Sequence, residues 1–539
     1  MVSTQIAVIA PFDRVPNEII EHVAFFTATL GRPGPPADLI SLQLVSRRFA
    51  STLSTSTNPH FYVLIFRAKF DAEAYFRRLG PEAKISENVV RELKRRFTLL
   101  TRFRGLQHSK VTLKTKEMLW MAYLMMLEND GLNERTLRKY GRLDSWLRNF
   151  WFDPEGASFA TYALGDNLWP PDSEFSTLAM WLFWLLLKPE EYLVLDEQTF
   201  RSIVSILKLI ALGAHKYPVT QPEWIEFLPP SPLRNTTPTS YASYPLLVAP
   251  PLAAPAILSY LSLAPKSVNK ADTFKNSPLA PSGIWQMLRE EAEALSAEEE
   301  DAEAFKLGNL DGVWEGLFTY TEFTAYAALL SGAPPPTLHR TLVARHQQTW
   351  KLREYHLLGP EEPNEPQSGN TNSNTNNTAQ NVPDRYRPLS MGDPLRAYLP
   401  TGVDISRCPG LLSVPTTDPP NPLTSNASPP PTTAQDEIEP VAQTAYQRRV
   451  RDVLIKGEGH SAWGQFKLVG RVRPYDGFVS LSKEYLDGDR GKWLYRGFLV
   501  GDKYGSFTGR WRDTLSPAAV PGYEGCFFMG RRRGGGMDV

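Results

Sequence analysis

Near Leu310 the hydrophobic period of this chain changes, and that change restricts the fold more than any other feature of the sequence. Upstream, apolar residues recur at helical spacing; Val89, Val90, Leu93, Phe97 and Leu100 make one stripe within Asn88 to Gly105. Leu113 to Glu128 and Asn133 to Phe152 read as two further helices separated by Gly131, and Trp181 to Leu187 and Ile203 to Leu212 as buried ones. Ile284 to Phe305 reads as a last helix with an acidic, solvated face. Downstream the period is two. Gly312, Trp314, Gly316, Phe318 and Tyr320 alternate with Val313, Glu315, Leu317 and Thr319, and Trp350, Leu352 and Glu354 alternate with Lys351, Arg353 and Tyr355.

Strands resume at Trp463, and Asp476-Gly477 marks a hairpin turn. The recurring unit is an aromatic two residues from a glycine, as in Tyr495-x-Gly497, Phe507-x-Gly509 and Gly525-x-Phe527. Such a face suits a strongly curved sheet, with glycines letting the strands coil and aromatics filling the space. About eight strands are expected, enough to close a small barrel. Between the two groups lies a segment rich in Asn, Thr, Ser and Pro, which buries too little apolar surface to offset its ordering entropy. The expected fold is therefore multidomain α+β: N-terminal helices over 11–66, a helical region over 70–307, and an antiparallel β-barrel-like domain over 308–358 and 459–533, interrupted by a largely disordered insertion at 359–439.

Composition limits the setting. The 539 residues are too many for one core, and 46 prolines imply linker. A net charge of zero gives no global field toward nucleic acid or an anionic membrane, so neither partner is expected. Cys408 and Cys526 are the two cysteines and form no metal-ligand or disulfide framework, which fits a reducing compartment, cytoplasmic or nuclear. Met1 to Ala10 lacks the features of a secretory signal. Thr236 to Pro265 is uncharged over much of a membrane's width, but its prolines would break a spanning helix; a buried arm around a helical core is expected instead.

The N-terminal segment carries a motif. Val15-Pro-Asn-Glu-Ile-Ile-Glu-His-Val is followed by Asp38-Leu-Ile-Ser-Leu-Gln-Leu-Val-Ser-Arg-Arg-Phe. Pro16 fits a first helical turn and Asp38 an N-cap. In spacing and residue type the segment, about one tenth of the chain, resembles the F-box family, and the overall plan of helices followed by an interrupted barrel is similar to that of fungal F-box sequences. Pro59 to Phe66 is similar to the family's third helix, while the loop from Phe26 to Pro36 is longer than usual. The resemblance implies binding to a Skp1-type adaptor through Val15, Pro16, Ile19, Ile20, Val23, Leu39, Leu42, Val45 and Phe49. It further implies a non-catalytic substrate receptor of a cullin ubiquitin ligase, with its protein target on the C-terminal sheet.

For that target, Trp493, Tyr495, Phe507 and Trp511 offer rigid contact surfaces, and Arg471, Arg473, Arg510 and Arg512 a basic rim for an acidic or phosphorylated peptide. Alternation places the two sets on opposite faces, meeting only at the strand ends. The Gly312-x-Trp314 opening resembles that of lipocalins, which gives the alternative of a small-ligand-binding barrel without a ligase role. No catalytic constellation is legible. Gly459-His-Ser-Ala-Trp-Gly misses a nucleophile elbow by one residue, and His339, His346 and His356 lack metal-ligand spacing. No cofactor and no metal are expected.

Overall fold

The computed structural model describes residues 15–219, 251–264, 305–358 and 450–532, apart from 32, 80, 107–112, 306, 342, 474–476, 489, 501–504 and 518–521; it also describes the backbone of 240–241, 244–245 and 405–407. The expected insertion at 359–439, except 405–407, the acidic helix before Phe305, and Cys408 lie outside the described residues. The chain divides into two compact units, one built from the N-terminal helices and the other mainly from residues after 303.

In the helical unit, α1 (Asn17–Thr29), α2 (Ala37–Gln43), α3 (Arg47–Thr52) and α4 (Pro59–Lys69) form an N-terminal hook. Ile20, Ala24 and Ala28 of α1 point inward with Leu39 and Phe49. Polar locks fix the hook's shape: Gln43 Nε2 donates to the Leu53 carbonyl at 2.7 Å and to the Tyr62 hydroxyl at 2.9 Å, and Arg48 Nη2 donates to the Val15 carbonyl and to Asn17 Oδ1. Two local expectations change. Asp38 lies inside the first turn of α2 without capping it, whereas Ser46 caps α3 by accepting from Phe49 N–H. Phe26 to Thr29 belong to α1, so the long loop begins only at Leu30. That loop is anchored at Gly34, whose φ is +116° and whose missing Cβ would lie 2.3 Å from the Tyr140 ring.

The hook is not a separate body, because α4 packs on the helix Ser86–Gly105. Beside that contact sits a buried ion network. Arg96, 1% exposed, donates to Glu92 Oε1 and Glu128 Oε2 at 2.8 Å each and lies over the rings of Phe66, Phe70 and Tyr75. The helix expected over Asn133 to Phe152 is two helices, Leu132–Lys139 and Leu143–Phe152. Arg142, at φ 54°, turns the chain between them. Within the region expected as a buried arm around a helical core, Ala253–Leu263 is a fully buried helix against Glu174–Leu185 and Glu197–Leu212. Pro255 is tolerated because it sits in the first turn, where no intrahelical N–H bond is required.

The second unit is the expected barrel. Its strands are β1 (Gly312–Thr321), β2 (Val343–Leu358), β3 (Val450–Ser461), β4 (Gly464–Arg473), β5 (Phe478–Tyr485), β6 (Lys492–Val500), β7 (Ser506–Asp513) and β8 (Glu524–Arg531). Each pairs antiparallel with the next, and β8 pairs with β1, which closes an eight-stranded up-and-down barrel. β3 begins earlier than the sequence suggests, since strands were expected to resume only at Trp463. Glycines of the barrel are packing features: a Cβ on Gly459 of β3 would lie 2.5 Å from the Phe466 ring, and one on Gly525 of β8 2.5 Å from the Trp511 indole. Aromatic rings thus occupy the space that glycine vacates.

The lumen is packed. Trp314, Trp350, Phe466, Phe507, Phe527 and Met529 are all at most 1% exposed. One end is closed by the segment before β1: Glu354 accepts from the Gly308 and Leu310 N–H groups at 2.7 and 2.6 Å, and the Trp314 indole N–H donates to the Leu310 carbonyl. Trp314 therefore plugs that end, as Gly312-x-Trp314 suggests.

Candidate functional site

Two surfaces stand out, one in each unit. On α1 Ile19, Val23 and Phe26, with Leu30 at its C-cap, follow helical spacing and are 49–72% exposed. On the same hook Ile40, Leu44 and Val45 are 60–81% exposed. Scattered exposed apolar residues are ordinary, but a run of large ones on a short hook makes that face a candidate interaction surface. Of the residues read as adaptor contacts, Ile19, Val23 and Val45 are exposed, as is Pro16 at the start of α1. Val15 and Leu42 are half-buried, and Ile20, Leu39 and Phe49 form the hook's interior. Phe26, Leu30, Ile40 and Leu44, which were not read as contacts, are exposed on the same hook. Phe26 and Leu30 continue the spacing of Ile19 and Val23, a signal hidden by treating Phe26 as loop.

The other surface is the open mouth of the barrel. Phe318, Trp463, Lys483, Tyr485, Trp493, Tyr495 and Trp511 line a shallow, solvent-open pocket whose enclosed room is about 10 Å³. Lys483 comes from β5 and is 1% exposed. Its ammonium nitrogen lies 3.8 Å from the centroid of Phe466, 4.9 Å from Tyr485, 5.3 Å from Phe318 and 5.4 Å from Tyr495. It donates at 3.1 Å to Oε1 of Gln348 on β2, a strand that is not its neighbour, so the bond crosses the lumen. Burial pushes Lys483 down to about 7 and raises the Tyr485 and Tyr495 hydroxyls above their ordinary range.

The four aromatics read as target contacts all reach this end of the lumen or its interior. Tyr495 and Trp511 line the pocket, Trp493 stands half-buried at its edge 5.3 Å from Trp511, and Phe507 packs deeper against Phe527. The four arginines lie on the opposite face, as alternation requires, and the structure does not bring them to the pocket. Arg471 pairs with Asp452; Arg473 is buried with its guanidinium 4.6 Å from the Phe478 centroid; Arg510 is buried; Arg512 lies 3.9 Å from Glu524 and donates to the Ser516 carbonyl. Lys483 was not singled out from the sequence. Its signal is a lysine in the inward register Val479, Leu481, Lys483, Tyr485, where an apolar residue is the rule.

Among the described residues no group of three His, Cys, Asp or Glu side chains could hold a metal ion, and no helix is long and apolar enough to cross a membrane. The Cys526 thiol is buried on the outer wall beside Thr319 and pushed up to about 11 by burial, which makes it a poor nucleophile. Comparison with known proteins gave no matching family model, no matching curated protein and no matching solved structure.

Proposed function

We propose that this chain is an F-box-type substrate receptor. The helical hook docks a Skp1-type adaptor of a cullin ubiquitin ligase in the cytoplasm or nucleus, and the barrel presents the target protein. The observation that carries the reading is the exposed apolar face of Ile19, Val23, Phe26, Leu30, Ile40, Leu44 and Val45, which falls on the segment that resembles the F-box. A helix-in-groove contact needs such a face, supported by an independently packed interior. Ile20, Leu39 and Phe49 supply that interior. In this role the protein carries no chemistry of its own; transfer belongs to the ligase it joins.

Co-expression with a Skp1-type adaptor tests the proposal. The full chain is expected to co-purify with the adaptor at equal stoichiometry, and an Ile19→Asp/Val45→Asp variant to lose it. An adaptor that ignores the wild-type chain would overturn the reading.

The up-and-down barrel with Gly312-x-Trp314 also favours a second reading, a lipocalin-like ligand carrier. Its lumen argues against a long apolar cargo. The enclosed room at its mouth is about 10 Å³, enough for roughly one water, and the space beneath it is filled by Trp350, Phe507 and Phe527.

A further inference from the structure

The helix Ser86–Gly105 has an outer face dominated by one sign of charge. Its inner side buries Val89, Leu93, Arg96 and Leu100. On the outer side Arg91, Lys94 and Arg102 are exposed and Arg95 is half-buried. At 3.6 residues per turn these four fall on one stripe, about 16 Å from first to last. Thr98 and Thr101 lie between them, their hydroxyls donating back to the carbonyls of Lys94 and Phe97. Glu87, at the start of the face, is its carboxylate. Arg91 and Arg102 have no ion-pair or hydrogen-bond partner among the described residues, and Lys94 has the Thr55 hydroxyl at 3.1 Å. A solvated helix face ordinarily interleaves signs, because like charges three and four residues apart repel. Arg102 is accounted for by the last turn, where a cation complements the helix C-terminus; Arg91, Lys94 and Arg95 lie well before it and gain nothing there. A chain of zero net charge thus keeps a line of mutually repelling cations on a helix that is firmly packed on α4.

We propose that this face docks an acidic segment of a protein partner, with carboxylates against Arg91, Lys94 and Arg102. Charge complementarity names the partner. An acidic helix repeats its carboxylates at the same three- and four-residue spacing and can lie along the stripe in register, and each guanidinium can take a carboxylate through two parallel hydrogen bonds. The same features argue against nucleic acid. Single strands bind on exposed aromatic rings, and no aromatic side chain of this helix is exposed. A duplex is held by a broad positive field, which a net-neutral chain does not supply. The barrel arginines expected to serve an acidic peptide are paired or buried, whereas the cations of this stripe are mostly open to water. The proposal adds a protein-binding face to the helical unit and stands whether or not the hook binds an adaptor.

The test is fluorescence anisotropy of an end-labelled ten-residue glutamate peptide titrated with the full chain. Saturable binding is expected, weakened at least tenfold between about 50 and 200 mM salt. An Arg91→Gln/Lys94→Gln/Arg102→Gln variant is expected to bind at least tenfold more weakly, with a melting temperature unchanged or raised, since like-charge repulsion is relieved. Lys351→Gln/Lys467→Gln/Lys492→Gln, which removes three exposed charges from the barrel instead, is expected to bind as wild type. A ten-residue oligothymidylate is expected not to compete. Absence of saturable binding, wild-type affinity in the helix variant, or equal weakening in the barrel variant would each overturn the proposal; oligothymidylate binding as tightly as the peptide would make the face a nucleic-acid one. Should the triple helix variant fail to fold, Arg91→Gln alone is expected to weaken the peptide about threefold, and wild-type affinity there would overturn the proposal equally. None of these measurements involves the adaptor, so failure here is distinguishable from failure of the receptor reading.

Discussion

Nζ of Lys483 and Oε1 of Gln348 meet at 3.1 Å across the lumen of a closed barrel, joining β5 to β2 without any shared ladder. The bond satisfies one donor of an amine that burial makes reluctant to carry its proton. Its folded value is about 7 against an ordinary 10.5. Between these values the unfolded chain binds more protons than the folded one, so stability rises with pH across that window and is flat below it. Lys483→Met removes both the burial cost and the pH dependence. The variant is expected to be more stable at pH 6.5 by on the order of 2 kcal/mol, a gain that shrinks toward pH 10. Urea unfolding of the two proteins at pH 6.5, 8 and 10 checks this; parallel curves at all three would show the amine to be unperturbed.

The hook separates binding from folding residue by residue. Ile19 and Val45 are exposed, so Ile19→Asp and Val45→Asp should each change stability by no more than about 0.5 kcal/mol while abolishing adaptor capture. Leu39 is buried, and Leu39→Asp should destabilise the helical unit by several kcal/mol, roughly the cost of an unpaired buried charge. Thermal unfolding alongside pull-down distinguishes the two classes. Loss of stability in the Ile19 variant would mean that its face is already covered.

Arg96 bridges Glu92 and Glu128 with almost no access to water. Arg96→Met leaves two buried carboxylates without their partner and should cost about 3–5 kcal/mol. Because the acids then resist ionisation, the deficit should lessen as pH is lowered from 7 toward 5. Chemical denaturation over that range is the measurement, and a loss below about 1 kcal/mol would show that the network relaxes or is hydrated.

Arg510 is a wall residue. It is buried on the outer face of β7, where it acts electrostatically on the half-buried Glu524 and on the Tyr326 hydroxyl. Arg510→Glu would set a second carboxylate beside Glu524, whose own carboxyl burial already pushes up. The expected result is a barrel destabilised by several kcal/mol, on the scale of a broken buried ion pair. Loss of target binding in that variant would therefore not identify a contact; Trp493→Ala, at the exposed edge of the pocket, is the cleaner probe. A barrel that melts normally with Arg510→Glu would place the arginine in solvent and reopen its role as a contact.

The sequence by itself determined the architecture. The period change at Leu310 placed the main helical region before the strands, although Phe323–Leu330 and Pro336–Arg340 are helices between β1 and β2, and the inward register Trp314, Phe318, Trp350, Leu352 was readable because side chains on a strand alternate by geometry. The glycine–aromatic spacing predicted curvature and closure, because a ring can occupy only the room that a missing Cβ leaves. Tertiary structure decided what local pattern leaves open. Strands were expected to resume only at Trp463, yet Val450–Ser461 is a strand paired along β2 and β4, with Leu352 and Phe466 filling the space beside Gly457 and Gly459. The prolines between 236 and 265 suggest a broken arm, yet Pro255 falls in a first turn and the helix around it is buried. The candidate site was the least legible part. Lys483 and Gln348 are 135 positions apart, and only barrel closure brings their side chains together in the lumen. Whether a lysine on an apolar strand is a solvated end or a buried amine depends on what lies across from it, and that is fixed by the fold as a whole.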